Sequence, residues 1–130
     1  MQRILVVEDS ATMRSYLATT LADLDPPVEV REAASGFEAL RLLPRESFDL
    51  VITDVNMPDV NGLELVSFLK GSEALRTIPL IVVSSEGSEK DCERGLSLGA
   101  DAYLTKPFDP EKLVGVVRDL LQRRRGESGT

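Results

Sequence analysis

Short apolar runs and helical stripes alternate five times along the chain. Ile4 to Val7 is an unbroken apolar run, the pattern of a parallel strand buried on both faces. Met13, Tyr16, Leu17, Thr20, Leu21 and Leu24 then fall at helical spacing and form one stripe, which Pro26-Pro27 brings to a stop. Val28 to Ala33 alternates, as expected of a strand nearer a sheet edge. Ser35 and Glu38 form an S-x-x-E capping box that opens a short helix ending near Pro44. Leu50 to Thr53 predicts the third strand, running into Asp54. The turn-rich stretch Asn56 to Gly62 predicts a loop, and Leu63, Val66 and Leu69 a helix stopped at Gly71. Leu80 to Val83 is the fourth strand. The helix after it, from Ser88 to Leu98, is weakly specified, with an expected inner face of Cys92, Gly95, Leu96 and Gly99. Ala102 to Thr105 is the fifth strand. Asp109 as N-cap and Pro110 at the first helical position begin the last helix, whose inner face is Leu113, Val116, Val117, Leu120 and Leu121. Gly126 to Thr130 reads as a frayed polar tail.

Strands and helices in this alternation imply parallel β-α-β crossovers, and so a doubly wound α/β sheet covered by helices on both sides. Ligands in such sheets bind beyond the carboxyl ends of the strands. At 130 residues there is room for one core of this kind. The net charge of −7 gives the chain no general attraction for nucleic acid. Arg123 to Arg125, its one basic run, suits the negative end of a helix dipole. With no histidine, Ser-His-Asp triads, His-ligated metals and internal phosphohistidine are excluded. The single cysteine, Cys92, cannot make an internal disulfide; it suits a reducing compartment and reads as a small packing residue. No aliphatic run exceeds Leu80 to Val83 in length, and no charged leader precedes the first strand, so a soluble cytoplasmic protein without membrane contact is expected.

The strand ends carry the chemistry. Glu8 and Asp9 follow the first strand, Asp54 the third, Ser84 and Ser85 the fourth, and Lys106-Pro107 the fifth. Three carboxylates and one ammonium leave this edge two charges negative, which a divalent cation would neutralise. Oxygen donors without His or Cys favour Mg²⁺ or a similar hard ion. The set suits phosphoryl transfer to a carboxylate, with Asp54 as nucleophile and with Lys106 and Ser84 on the phosphoryl oxygens. Each residue also has a plainer reading. Glu8-Asp9 reads as the approach to a helix cap, with Asp9 or Ser10 as the capping residue, Asp54 as an Asx-turn former, Ser84 as a partner of backbone groups and Lys106 as a solvated lysine. Their coincidence at four strand ends is what favours a site.

These residues resemble the two-component receiver domain, and within it the stand-alone CheY-like receivers. The likeness runs from Ile4 to about Leu121. It rests on Val7-Glu8-Asp9-Ser10, Asp54-Val55-Asn56-Met57-Pro58-Asp59 with Gly62, Val83-Ser84-Ser85-Glu86, Gly99-Ala100-Asp101-Ala102-Tyr103 and Lys106-Pro107-Phe108. The resemblance implies a flavodoxin-like sheet in the order 2-1-3-4-5 with five helices, a receiver over residues 1–123 and a short tail over 124–130. It implies Asp54 as phosphoacceptor, Mg²⁺ held by Glu8, Asp9, Asp54 and the Asn56 carbonyl, and Ser84 and Lys106 on the phosphoryl group. Tyr103 is then the aromatic residue that turns inward on activation, and Lys106-Pro107 a cis peptide. Glu8 stands where Asp is more usual, and Ser84 where Thr is frequent.

The implied role is a signalling switch, not an enzyme acting on other substrates. A sensor histidine kinase or phosphotransfer protein would phosphorylate it. A downstream protein would read the fourth helix, fifth strand and fifth helix, where Lys106, Lys112 and Arg118 lie. The short tail favours a stand-alone switch, with the receiver of a longer regulator as alternative. An aspartate-nucleophile phosphohydrolase fits less well, because Asn56 stands where such enzymes usually carry a second acid.

Overall fold

The computed structural model describes residues 1–85 and 89–128. Glu86 and Ser88, both part of the expectations above, lie outside the described residues. The elements alternate strictly: β1 (Gln2–Val7), α1 (Ala11–Leu21), β2 (Val28–Ala33), α2 (Gly36–Leu42), β3 (Leu50–Asp54), α3 (Gly62–Gly71), β4 (Leu80–Ser85), α4 (Glu89–Leu98), β5 (Ala102–Lys106) and α5 (Pro110–Ser128). All strand pairs are parallel, in the order β2-β1-β3-β4-β5, as expected.

Because successive side chains on a strand point to opposite faces, each central strand divides its residues between two cores. Leu5, Val7, Val51, Leu80 and Val82 face one core, where Ala39 and Leu43 of the α2 region and Leu65, Val66 and Leu69 of α3 cover them. Ile4, Val6, Leu50, Ile52, Ile81, Val83 and Leu104 face the other, under Leu17 and Leu21 of α1 and Leu113, Val117, Leu120 and Leu121 of α5. Burial on both faces is why these strands read as continuous apolar runs. At the edge, β2 leaves Glu29, Arg31 and Glu32 exposed, charges that discourage pairing with another sheet.

Side-chain oxygens close the helix starts. Ser10 accepts from the Met13 amide at 3.3 Å and Asn61 from the Leu63 amide at 2.7 Å. Asp109 accepts from the Glu111 amide at 3.0 Å. The capping box forms with one change: Ser35 accepts from the Glu38 amide at 3.1 Å, but Glu38 reaches back to the Ala34 amide, one residue before the cap.

Three expectations need correction. The last helix continues through Gly126 to Ser128, past the expected start of the tail. Its last turns are tied down: Arg124 donates to Asp49 at 3.1 Å and to the Thr77 carbonyl at 3.1 Å, and Arg125 donates to Gln2 at 2.9 Å. Leu96 is 44% exposed, so the buried residues of α4 are Cys92 and Gly95 alone. Tyr16 leaves the buried stripe of α1 for the surface, where its ring lies 5.9 Å from that of Phe108. No described helix is long and apolar enough to cross a membrane.

Candidate phosphoryl-acceptor site

β1 and β3 are neighbours, so the residues that follow their inner runs meet at one end of the sheet. Glu8, Asp9 and Asp54 each place a carboxylate oxygen within 4.8 Å of the others. Ser10, not Asp9, caps α1, which leaves the exposed Asp9 carboxylate beside the other two. Lys106 arrives from the last position of β5. Its ammonium lies 2.8 Å from Glu8 Oε1 and 3.4 Å from Asp54 Oδ1. The Lys106–Pro107 peptide is cis, as the resemblance implies; Asp25–Pro26 is cis as well.

Burial gives these charges weight. Asp54 is 6% exposed and Glu8 is buried. Burial pushes the Glu8 carboxyl above its ordinary range, against the Lys106 hydrogen bond and the Ser10 amide, which donates to Oε2 at 3.1 Å. The neighbouring Asp54 charge raises it further. For Lys106, burial favours the neutral amine, but the Glu8 hydrogen bond and the Asp54 and Glu8 charges outweigh it and hold the ammonium above its ordinary range. Asp54 Oδ1 is buried and, beyond the Lys106 ammonium at 3.4 Å, has no partner among the described residues. A buried carboxylate oxygen met only by one long ion-pair contact is under-satisfied and has room for a further cation or donor. The donors are hard carboxylate oxygens on a cluster with surplus negative charge, so the set fits Mg²⁺.

The loop after β3 holds this end of the sheet in place. The Val55 amide donates to the Val83 carbonyl at 3.0 Å and the Gly62 amide to the Val55 carbonyl at 2.9 Å. Val55 and Met57 are buried, while Asn56 between them is exposed. Asp59 reaches across to the start of α2 and accepts from the amides of Phe37 at 2.9 Å and Gly36 at 3.3 Å. Those amides, Phe37 first, hold the Asp59 carboxyl below its ordinary value of 3.8. From the sequence Asp59 reads only as a turn residue, and its role as a brace between loop and helix had no local signal. Asp59→Ala is expected to lower Tm by a few degrees at pH 7. A depressed carboxyl contributes stability above its ordinary value and loses it as pH falls through the folded value. The gap to wild type in thermal melts therefore closes below pH 3.8.

Two site residues stand apart from this cluster. Ser84 is fully buried and its hydroxyl shares a 3.3 Å hydrogen bond with Cys92 Sγ on α4, not with Asp54 or Lys106. Strand parity explains it: Ser84 follows Leu80 and Val82 onto the α3–α4 face, whereas Asp54 follows Leu50 and Ile52 onto the other. Tyr103 is 40% exposed and lies outside both cores, paired with Val82 in the sheet.

A five-stranded parallel α/β sheet with three carboxylates and a lysine at the carboxyl ends of its strands defines a receiver-type fold. The family model for the response regulator receiver domain matches residues 4–118. The chain belongs to this family of two-component signalling domains. It is 39% identical over 126 residues to a chemotaxis protein CheY homolog of Campylobacter jejuni, spanning 96% of each protein. It is 37% identical over 121 residues to "Probable transcriptional regulator ycf29" of Pyropia yezoensis, covering 93% of this chain and 54% of that protein. Among solved structures, the chemotaxis response regulator CheY4 of Vibrio cholerae superposes with a TM-score of 0.82 at 34% identity, over 92% of this chain and 98% of that one. The chain is thus a CheY-like receiver, although it spans only about half of some relatives.

Proposed function

We propose that this chain is a phosphorylation switch whose acceptor is Asp54. The observation that carries the reading is the buried Asp54 carboxylate, whose Oδ1 meets only the ammonium of Lys106, at 3.4 Å, a lysine shared with Glu8. A carboxylate oxygen of Asp54 attacks the phosphorus of a phosphohistidine on a sensor histidine kinase or phosphotransfer protein. The P–N bond breaks, an acyl phosphate forms on Asp54, and the donor imidazole leaves and takes up a proton. The chain lacks histidine, so the donor belongs to another protein. In this reading Lys106, 3.4 Å from Asp54 Oδ1, accompanies the transferred oxygens, and burial of the site strengthens its attraction for them.

Glu8, Asp9, Asp54 and the Asn56 carbonyl are the groups that would hold Mg²⁺. When bound, the ion neutralises the carboxylates and the charge gathering on the phosphoryl oxygens. Glu8 already has Lys106 and the Ser10 amide as partners, while Asp9 is exposed at the surface. Asp9→Asn should therefore weaken Mg²⁺ binding more than Glu8→Gln, by at least about tenfold in a calorimetric titration. Mg²⁺ binding unchanged in both variants would remove the metal from the account.

With acetyl phosphate and Mg²⁺, the protein is expected to gain one phosphoryl group, seen as a single mass increment. Asp54→Asn is expected to gain none, because a carboxamide is not a competent nucleophile. Equal labelling of the variant would contradict the assignment.

Phosphorylation adds charge and acceptor oxygens on the side of the sheet opposite the resting Ser84 hydroxyl. The readout we propose is a shift of Ser84 toward those oxygens, an inward turn of Tyr103 and a change in the face formed by α4, β5 and α5. Lys112 on α5 is exposed and suits an acidic partner, whereas Arg118, expected on the same face, lines the groove between α1 and α5 instead. The setting is the cytoplasm, with a protein target and not nucleic acid. The half-length match to ycf29 supports a second reading, in which the same switch is the receiver of a longer regulator. The native reading frame decides between them.

A further inference from the structure

The Ser84–Cys92 pair is a contact between the site and a helix that the site chemistry leaves unused. Both side chains are buried, Ser84 fully, and their 3.3 Å hydrogen bond closes the gap between the end of β4 and α4. The two buried residues of α4 are Cys92 and Gly95. A Cβ on Gly95 would lie 3.5 Å from Leu63 and 3.7 Å from Val82, so this turn of the helix rests directly on the sheet. Meanwhile Asp54 Oδ1, across the strand, meets the Lys106 ammonium at 3.4 Å but no hydroxyl donor among the described residues.

We infer that Cys92 is a positioning residue that latches Ser84 in the resting state, on the α4 side of the sheet and away from Asp54. The inference rests on the switch reading above and names the bond that the switch must break. Sulfur is a weak hydrogen-bond partner. Phosphoryl oxygens, being charged acceptors, form stronger bonds to a hydroxyl than a thiol does. The exchange therefore runs toward the phosphoryl group once it is present and reverses when it leaves. Losing its bond to Ser84 also loosens one of the two anchors of α4, so the latch links acceptor chemistry to movement of that helix.

Cys92 is the only cysteine, so its S–H stretch gives one infrared band. Ser84→Ala should shift that band, and Mg²⁺ with beryllofluoride, a phosphoryl stand-in, should shift the wild-type band in the same direction. In labelling with acetyl phosphate, Cys92→Ala and Cys92→Val should both speed phosphorylation of Asp54, roughly two- to fivefold for one weak hydrogen bond. They differ in volume, so a pure packing role would separate them. In a Ser84→Ala background neither Cys92 substitution should change the rate, since no hydroxyl remains to be held. A band indifferent to Ser84→Ala, or Cys92 effects that persist undiminished in that background, overturns the latch. A wild-type protein that is not labelled at all overturns the switch reading, and the latch with it.

Discussion

Gly62→Ala is expected to be the most damaging glycine-to-alanine change among the described residues. A Cβ built on Gly62 would sit 2.1 Å from the carbonyl oxygen of Asp54, and 2.8 Å from both the Asp54 carbonyl carbon and Val55 Cα. These are backbone atoms, and no rotamer change can make room. The chain must open the loop, giving up the bond from the Gly62 amide to Val55 and moving the residue that carries the acceptor. Overpacking of this severity should cost more than about 3 kcal/mol. Any folded fraction should be labelled poorly by acetyl phosphate, because Asp54 has moved. Gly115→Ala is the control. It lies inside α5 with nothing within 4 Å of the added methyl. The better helix propensity of alanine should stabilise the protein by about 0.5–1 kcal/mol. Urea denaturation of the two variants checks both signs, and a Gly62→Ala protein of wild-type stability would contradict the packing around Asp54.

Lys106→Met should expose the electrostatic conflict that the lysine now resolves. The methionine matches its length but removes the charge shared by Glu8 and Asp54, leaving two buried carboxylates facing one another. Breaking a buried pair from one side costs roughly 3–5 kcal/mol, and partial exposure of the lysine lowers the expectation to about 2–4 kcal/mol. Added Mg²⁺ should recover more stability in the variant than in wild type, since the ion supplies the missing positive charge and meets no ammonium. The pH dependence has a defined sign. A raised Lys106 contributes stability that is fully present below its ordinary value of 10.5 and is lost as pH rises through the folded value. Glu8 is raised as well, so its burial favours folding in acid and that benefit is lost as pH rises through its folded value. The deficit of Lys106→Met should accordingly be widest near neutral pH, narrowing in acid as Glu8 takes a proton and again at strongly alkaline pH as wild-type Lys106 loses its own. A deficit that is flat with pH and unmoved by Mg²⁺ would mean that Lys106 serves packing alone.

Much of this architecture is legible in the sequence because a parallel sheet covered on both sides writes itself as apolar runs. Ile4–Val7, Leu50–Ile52 and Leu80–Val83 are such runs, and the residues that follow them land together. Glu8, Asp9, Asp54 and Lys106 can therefore be collected from position alone. The strand order came through the resemblance, since alternation does not by itself order five parallel strands. Ser84 shows where the sequence is silent. It follows its strand as the others do, yet its parity turns it to the other face, and its partner Cys92 lies on a helix with few apolar residues. Leu96 was expected inward for the same reason: with only Cys92 and Gly95 as anchors, helical spacing cannot fix which way α4 is rotated. Asp59 is illegible for another reason, since its partners Gly36 and Phe37 are more than twenty residues away at the start of α2. At the carboxyl end, Gly126 looks like a helix stop, but contacts from Arg124 and Arg125 to distant parts of the chain carry the helix past it.

The central claim is chemical, that a phosphoryl group is held as an acyl phosphate on Asp54, and it has a direct measurement. Protein labelled with acetyl phosphate and Mg²⁺ is treated with borohydride, which reduces an acyl phosphate to an alcohol, and is then digested and sequenced by mass spectrometry. The account predicts homoserine at position 54 and unchanged aspartate and glutamate at Asp9 and Glu8. Reduction at Asp9 or Glu8 with Asp54 intact, or a phosphoryl group that survives borohydride on Ser84, would contradict it.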